Sequence, residues 1–249
     1  MDENYWNCVA TDYDNEIFSV IANDRRGIIS STISRLASKK LLACDFGCGV
    51  GKFLPTLSRN FRRVYAVDIS DVCLDKAREN CRHLPNVTFS RADLSCDTLK
   101  LRKAHFALSV NAVMMTSHDK RAAVFDTIAR HLYKGAHLLL VVPSLESALF
   151  ADFRLLQWNV KTGLTHRRAV KELDGTDTEL ALRQGILEID GVPTKHYLEE
   201  ELCATFKESP LDVLSIEKVE YPWSTEFQNP PNWMKAPYPW DWMAVMKKT

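Results

Sequence analysis

The stretch Leu41-Leu42-Ala43-Cys44-Asp45-Phe46-Gly47-Cys48-Gly49-Val50-Gly51 decides the fold. An apolar run ends in an acid, and three glycines then alternate with other residues. This is the pattern of a buried strand that breaks into a tight turn. Glycine there tolerates positive φ and has no Cβ to hold a ligand away from the backbone. A second run, Val64-Tyr65-Ala66-Val67, ends in Asp68. An acid about 20 residues beyond a glycine-rich turn is placed to accept the hydroxyls of a ribose. Together they imply a nucleoside-containing ligand at the carboxyl ends of parallel strands.

Outward from this stretch, strands and helices alternate. The pattern predicts strands over 41–45, 63–68, 86–91, 105–111 and 137–142. Helices are expected over 53–60, 71–83 (with Ser70 as N-cap) and 120–132, the last closed by Gly135. Residues 1–38 read as a helical N-terminal cap, with Val9, Tyr13, Ile17, Val20 and Ile21 near helical spacing and Gly27 between two helices. Residues 144–193 break the rhythm: an apolar helix from Leu145 to Trp158, a basic piece, then a hairpin between Glu179 and Val192 punctuated by Gly185 and Gly191. This segment is expected as an insertion over the carboxyl edge of the sheet, where substrate contacts commonly lie. A helix over 196–207 and strands over 211–221 and 242–246 complete one domain spanning 1–249. Alternating units of this kind predict an open, mostly parallel α/β sheet with helices on both faces.

Composition narrows the function classes. Acids and bases cancel to a formal charge of zero, so no net field draws the chain to nucleic acid or an anionic membrane. The longest apolar run, Leu138 to Val142, is too short to span a bilayer, and the acidic start Met1-Asp2-Glu3-Asn4 has no signal-peptide form. Seven scattered cysteines fit a reducing, cytoplasmic setting. Cys44 and Cys48 flank the turn without a second Cys or His pair at zinc spacing, so no metal is expected.

Two cofactor classes fit a strand, a glycine turn and a ribose acid. A dinucleotide fingerprint needs a third glycine where Lys52 stands, and Asp45 would repel a pyrophosphate. Asp45 suits a cation or an amine instead. The run Asp45-Phe46-Gly47-Cys48-Gly49-Val50-Gly51 resembles motif I of the class I S-adenosylmethionine-dependent methyltransferases. The second-strand acid, Ala92-Asp93-Leu94 after strand three, Asn111-Ala112-Val113 after strand four and Leu132-Tyr133-Lys134-Gly135-Ala136 before strand five are similar to that superfamily's further motifs.

The resemblance implies a seven-stranded sheet whose last strand is antiparallel, with the insertion between strands five and six. It implies S-adenosylmethionine as cofactor and S-adenosylhomocysteine as product. Gly47, Gly49 and Gly51 would pass close to the ligand, and Asp45 would orient its ammonium directly or through water. Asp68 would accept the ribose hydroxyls. Ile69 would pack on the adenine, Asp93 would accept from its amino group and the Leu94 amide would donate to a ring nitrogen. Asn111 would sit near the methionine part. Tyr13 resembles a tyrosine of an N-terminal helix that closes over the cofactor.

On the acceptor side, His118 is a candidate base just after strand four. His166, Arg167 and Tyr197 are candidates for holding substrate. The Asn/Asp-Pro-Pro-Tyr/Phe signature of amine methylation is absent: Asn111-Ala112-Val113-Met114 stands there. Methyl transfer needs alignment and exclusion of water more than a fixed catalytic motif. The expected activity is methyl transfer to a small or medium organic molecule. Protein or RNA methylation, a non-catalytic S-adenosylmethionine-binding module and a nicotinamide oxidoreductase are the alternatives.

Overall fold

The computed structural model describes residues 3–10, 13, 18–96, 100–171 and 179–249. The expected helical positions at 11–12 and 14–17, Ile17 among them, lie outside the described residues, as do 172–178 of the expected insertion. The main sheet is built from β1 (Leu42–Phe46), β2 (Arg63–Asp68), β3 (Val87–Arg91), β4 (Ala104–Val110), β5 (Leu132–Pro143), β8 (Leu211–Glu220) and β9 (Trp240–Lys248). Their spatial order is β3-β2-β1-β4-β5-β9-β8. β1 to β5 pair in parallel, and β9 runs antiparallel to both β5 and β8. β6 (Ile186–Ile189) and β7 (Val192–Lys195) form a separate antiparallel hairpin.

Side chains alternate across the sheet, and both faces are covered, as a parallel sheet requires. In β5, Leu138, Leu140 and Val142 face one side with α6 (His118–Arg130) and α10 (Glu199–Phe206). Leu139 and Val141 face the other, with α3 (Ile28–Leu36), α4 (Leu54–Asn60) and α5 (Asp71–Asn80). Asp45 and Asp68 share the parity of that second face but sit at the carboxyl ends of their strands. The strand order reverses between β1 and β4, the place where ligands bind in open sheets of this type.

Ser70 caps α5 as expected, its hydroxyl accepting from Cys73 N. The structure corrects two boundaries. The helix expected over 120–132 starts at His118 and ends at Arg130, and Gly135 does not close it. Gly135 lies within β5 at φ 80°, where the pairing jumps from Ala104–Leu132 to Phe106–His137. The glycine serves an irregularity in the strand, which looks the same in sequence as a helix stop. The helix expected from His196 begins at Glu199. Tyr197 is held extended instead, its N–H donating to Pro143 O and its carbonyl accepting from Leu145 N.

α1 (Glu3–Val9) packs on α5. Ser70 Oγ donates to Asn7 Oδ1 at 2.6 Å. Arg91 bridges Glu3 at 2.5 Å and Asp71 at 3.1 Å. α7 (Leu145–Lys161) follows β5 directly, α8 (His166–Lys171) packs against it, and α2 (Val20–Asn23) and α9 (Glu179–Leu182) are single turns. No helix among the described residues is long and apolar enough to cross a membrane.

Candidate functional site

The turn after β1 is fixed from the neighbouring strand. Gly47 N and Cys48 N donate to Val67 O at 2.8 and 3.0 Å. Gly49 N donates to Asp68 Oδ2 at 2.8 Å, and Ser70 N to Asp68 Oδ1 at 3.0 Å. Two glycines permit close approach. A Cβ on Gly47 would collide with Ala112, and one on Gly49 would meet Tyr13 Oη at 2.5 Å. Gly51 instead faces Leu54, Cys81 and Ala77 inside the protein.

Asp45 and Asp68 are both buried. Burial first, then the nearby Asp68, pushes the Asp45 carboxyl from 3.8 up to about 8. Asp68 is also raised by burial, against the opposing hydrogen bonds from Ser70, Gly49 and Ile69. The Asp45 carboxylate accepts no hydrogen bond from the described residues. Burial, followed by the charges of Cys73 and Asp68, raises the Tyr13 hydroxyl above its ordinary range.

Two cavities adjoin this turn. The smaller, about 120 Å³, is lined by Tyr13, Gly47, Gly49, Asp68, Ile69, Asp93, Leu94 and Asn111, eight of the ten residues expected at the cofactor. Asp45 and Gly51 line neither cavity. Asp93 Oδ1 accepts from Ser95 N and Ser95 Oγ, so the acid also caps its own turn. The larger cavity, about 640 Å³, is walled by Tyr5, Trp6, Phe18, Phe53 and Met114, with Ile189, Asp190, Val192 and Thr194 from the β6–β7 hairpin. Trp6, Tyr13, Gly47 and Asn111 line both cavities and so form their junction.

The loop after β4 is held rigidly beside that junction. Val113 O accepts from Tyr197 Oη at 2.7 Å and Met114 O from Lys195 N at 2.9 Å. Met115 O and Thr116 O accept from the buried Arg121 guanidinium at 2.8 and 2.7 Å. Four successive carbonyls thus have partners, which fixes the backbone that Asn111 begins.

The acceptor-side residues expected from sequence fall elsewhere. The His118 side chain is 85% exposed at the start of α6 and lines neither cavity. Tyr197 is 1% exposed and its hydroxyl is committed to Val113 O, so it supports the loop. Arg167 is exposed on α8, and the His166 side chain lies outside what the structure describes. Tyr5, Trp6, Lys52 and Asp190 line the large cavity without having been singled out. One signal for the hairpin residues was present. Asp190-Gly191, both at positive φ, is the dipeptide of a tight two-residue hairpin turn.

The residues fit S-adenosylmethionine. Buried Asp68 lines the small cavity beside the glycine turn, buried Asp45 lies behind that wall, and a Cβ on Gly47 or Gly49 would collide with Ala112 or Tyr13 of the same lining. A cationic, hydroxyl-bearing ligand satisfies groups of this kind.

Residues 43–135 match the protein family described as a methyltransferase domain. No curated protein matches the chain in sequence. Among solved structures, a SAM-dependent methyltransferase from Methanosarcina mazei is 17% identical with a TM-score of 0.60, over 87% of this chain and 96% of that one. DhpI in complex with SAH is 15% identical with a TM-score of 0.62, over 99% and 95%. Magnesium protoporphyrin IX methyltransferase (ChlM) from Synechocystis PCC 6803, with bound SAH, is 14% identical with a TM-score of 0.58, over 99% and 98%. At these identities the likeness establishes the fold, and the family match establishes the type of domain within it. Residues 43–135 thus carry a methyltransferase domain, set in the fold that these SAM-dependent methyltransferases share.

Proposed function

We propose that this chain transfers a methyl group from S-adenosylmethionine to a small or medium organic molecule held in the large cavity. The observation that carries the reading is the pair of cavities meeting at Trp6, Tyr13, Gly47 and Asn111. An acceptor enclosed by the chain's own N-terminal residues and hairpin suits a small molecule better than an open groove for protein or RNA. The name of one structural neighbour, magnesium protoporphyrin IX methyltransferase, gives it a small organic substrate, which supports the same class here.

When bound, S-adenosylmethionine supplies an electrophilic methyl on a sulfonium. The chain's residues do the rest. Asp68 accepts the ribose hydroxyls while its backbone bonds to Gly49 and Ser70 keep it in place. Ile69 and Leu94 flank the adenine, and Asp93 accepts from its amino group. Gly47 and Gly49 let backbone approach the sugar and amino acid. Asp45, set back from the cavity wall, acts on the ammonium through its charge and through water. Tyr13 covers the turn from above Gly49. The aromatic walls exclude water and align the acceptor, which is the main demand of an in-line displacement. His118, out in solvent, has no part in this reading.

The test pairs methyl-labelled S-adenosylmethionine with cell extract split into a small-molecule filtrate, a protein fraction and an RNA fraction. Label is expected in a filtrate compound chromatographically distinct from S-adenosylmethionine, and Asp68→Asn is expected to abolish its incorporation by weakening cofactor binding about 100-fold or more. Label confined to protein or RNA would overturn the acceptor class. Tight binding with no label in any fraction would favour a non-catalytic module.

A further inference from the structure

The β6–β7 hairpin turns a single face to the large cavity. Ile189, Val192 and Thr194 line it, and Ile189 pairs with Val192 across the ladder. Glu188 and Pro193, of the opposite parity, are exposed and line neither cavity. Asp190 sits at the tip and lines the large cavity only. The hairpin thus carries two acids and brings one of them to the acceptor side.

The turn itself does not require an acid at that place. Asp190 and Gly191 lie at φ 50° and 75° between Ile189 and Val192, as in a two-residue hairpin turn. Asparagine suits the first position of such a turn at least as well as aspartate. The negative charge is therefore surplus to the fold. No hydrogen bond or ion pair engages the Asp190 carboxylate among the described residues.

Among the described residues, two charged side chains line the large cavity, Lys52 and Asp190. Lys52 already has a partner, which leaves the Asp190 charge to meet a ligand. Five rings stand in the same wall: Tyr5, Trp6, Tyr13, Phe18 and Phe53. Phe18 is 40% exposed and Ile189 47%, so each keeps apolar area that a molecule in the cavity would cover. Aromatic faces attract a cation through the ring quadrupole, and a carboxylate attracts it by charge. Together they favour a cation over an anion.

We infer that the methyl acceptor carries a positive charge and that Asp190 is the specificity-determining residue that holds it. The inference rests on the methyltransferase reading above and narrows its substrate class to an ammonium-bearing organic molecule with an apolar or aromatic body. The two cavities meet at Trp6, Tyr13, Gly47 and Asn111, and Asp190 is not among them. The charge that it holds therefore belongs to a group other than the atom that takes the methyl. Asp190 binds and orients the acceptor and takes no proton from the reacting atom.

The test reads the charge of the product and then the effect of the acid. The labelled compound formed in the small-molecule filtrate is separated from S-adenosylmethionine and passed at pH 7 over cation- and anion-exchange resins. It is expected to bind the cation exchanger and to pass the anion exchanger; the reverse, or passage through both, would overturn the inference. Initial rates are then compared in filtrate diluted until the rate is proportional to the filtrate added, where they report kcat/KM. Asp190→Asn keeps a turn-forming residue and removes the charge. Its rate is expected to fall about tenfold or more, with S-adenosylhomocysteine affinity by calorimetry within about threefold of wild type. Asp190→Gly, equally suited to the turn, should show the same loss, which ties the effect to the charge. A rate within about threefold of wild type in either variant would remove Asp190 from acceptor binding, and a parallel loss of S-adenosylhomocysteine affinity would place the acid at the cofactor; each overturns the inference. Wild-type protein that forms no labelled small molecule would instead sink the reading on which it rests. Retained S-adenosylhomocysteine affinity shows that a variant is folded.

Discussion

Asp45 is buried at the end of β1, and burial together with Asp68 lifts its carboxyl to about 8. In the unfolded chain the same group titrates near 3.8. The folded, ligand-free protein therefore holds a proton that the unfolded chain has lost. This contributes stability that is fully present below pH 4 and disappears as pH rises through about 8. An ammonium ligand needs the carboxylate, so binding at pH 7 should release a proton and tighten as pH rises from 6 to 8. Asp45→Asn removes the titration. At pH 8.5 the ligand-free variant should be more stable than wild type, by on the order of 3 kcal/mol, with the gap closing toward pH 5; its S-adenosylhomocysteine affinity at pH 8.5 should fall several-fold. Melting curves at the two pH values check this, and a gap that ignores pH would refute the assignment. At this scale the residues at the carboxyl ends of β1 to β4 were legible, because strand parity and turn chemistry place Gly47, Gly49, Asp68 and Asn111 around one small cavity. The acceptor side was not. His118 and Tyr197 have suitable chemistry, but whether a helix start faces solvent and whether a tyrosine hydroxyl finds a carbonyl are set by packing between distant segments.

Among the elements, the β6–β7 hairpin depends on one buried cation. Lys195 is 2% exposed, and its ammonium donates to Gln184 O at 2.8 Å and to Glu201 Oε2 at 2.7 Å. It thereby ties the hairpin to α10, while its backbone N–H holds Met114 O in the loop after β4. Lys195→Met keeps much of the volume but strands a carbonyl and a partly exposed carboxylate. It should cost about 1–3 kcal/mol and open the hairpin to limited proteolysis between 186 and 195. Because the hairpin lines only the large cavity, S-adenosylhomocysteine affinity should change less than threefold. Equal loss of cofactor affinity would show that the hairpin supports both cavities. The hairpin was legible in outline through Gly185 and Gly191, but its expected start at Glu179 is a helical turn over Glu179–Leu182, and the pairing runs from Ile186 to Lys195. Its role as a wall was not, since that follows from a lysine whose burial no local pattern reveals. Helix ends were read less well than strands. Gly135 signals a stop in sequence, yet β5 begins at Leu132 and spends the glycine on an irregular pairing, a choice made by β4 across the sheet.

For the whole molecule, the seven-stranded sheet with its antiparallel last strand was legible through the resemblance carried by local motifs at the strand ends, whereas the contribution of the first residues to the site is a matter of assembly. α1 adds Trp6 to both cavities and Tyr5 and Val9 to the larger one. It is attached by polar contacts, Asn7 to Ser70 and Glu3 to Arg91, and by Cys73 Sγ donating to Trp6 O at 3.8 Å. None of its residues belongs to the two clusters that pack the faces of the sheet. Ser70 is also the residue whose N–H holds Asp68, so the contact that seats α1 begins two residues from that buried acid of the small cavity. Deleting residues 1–10 should therefore leave the sheet folded and its ligand-free melting temperature within a few degrees of wild type. Ligand response should suffer far more. Wild-type protein at a hundred times its dissociation constant should gain about 2.7 kcal/mol from S-adenosylhomocysteine, and nicotinamide dinucleotides should give no shift. At the same ligand concentration the truncated chain should lose most of that gain, because one wall of the smaller cavity is missing. A full shift after truncation would mean that α1 serves only the acceptor side, and a collapse of the ligand-free protein would make it part of the core. The expected result, a stable sheet with poor retention of cofactor, follows from where the apolar clusters stop and where the polar contacts of α1 begin.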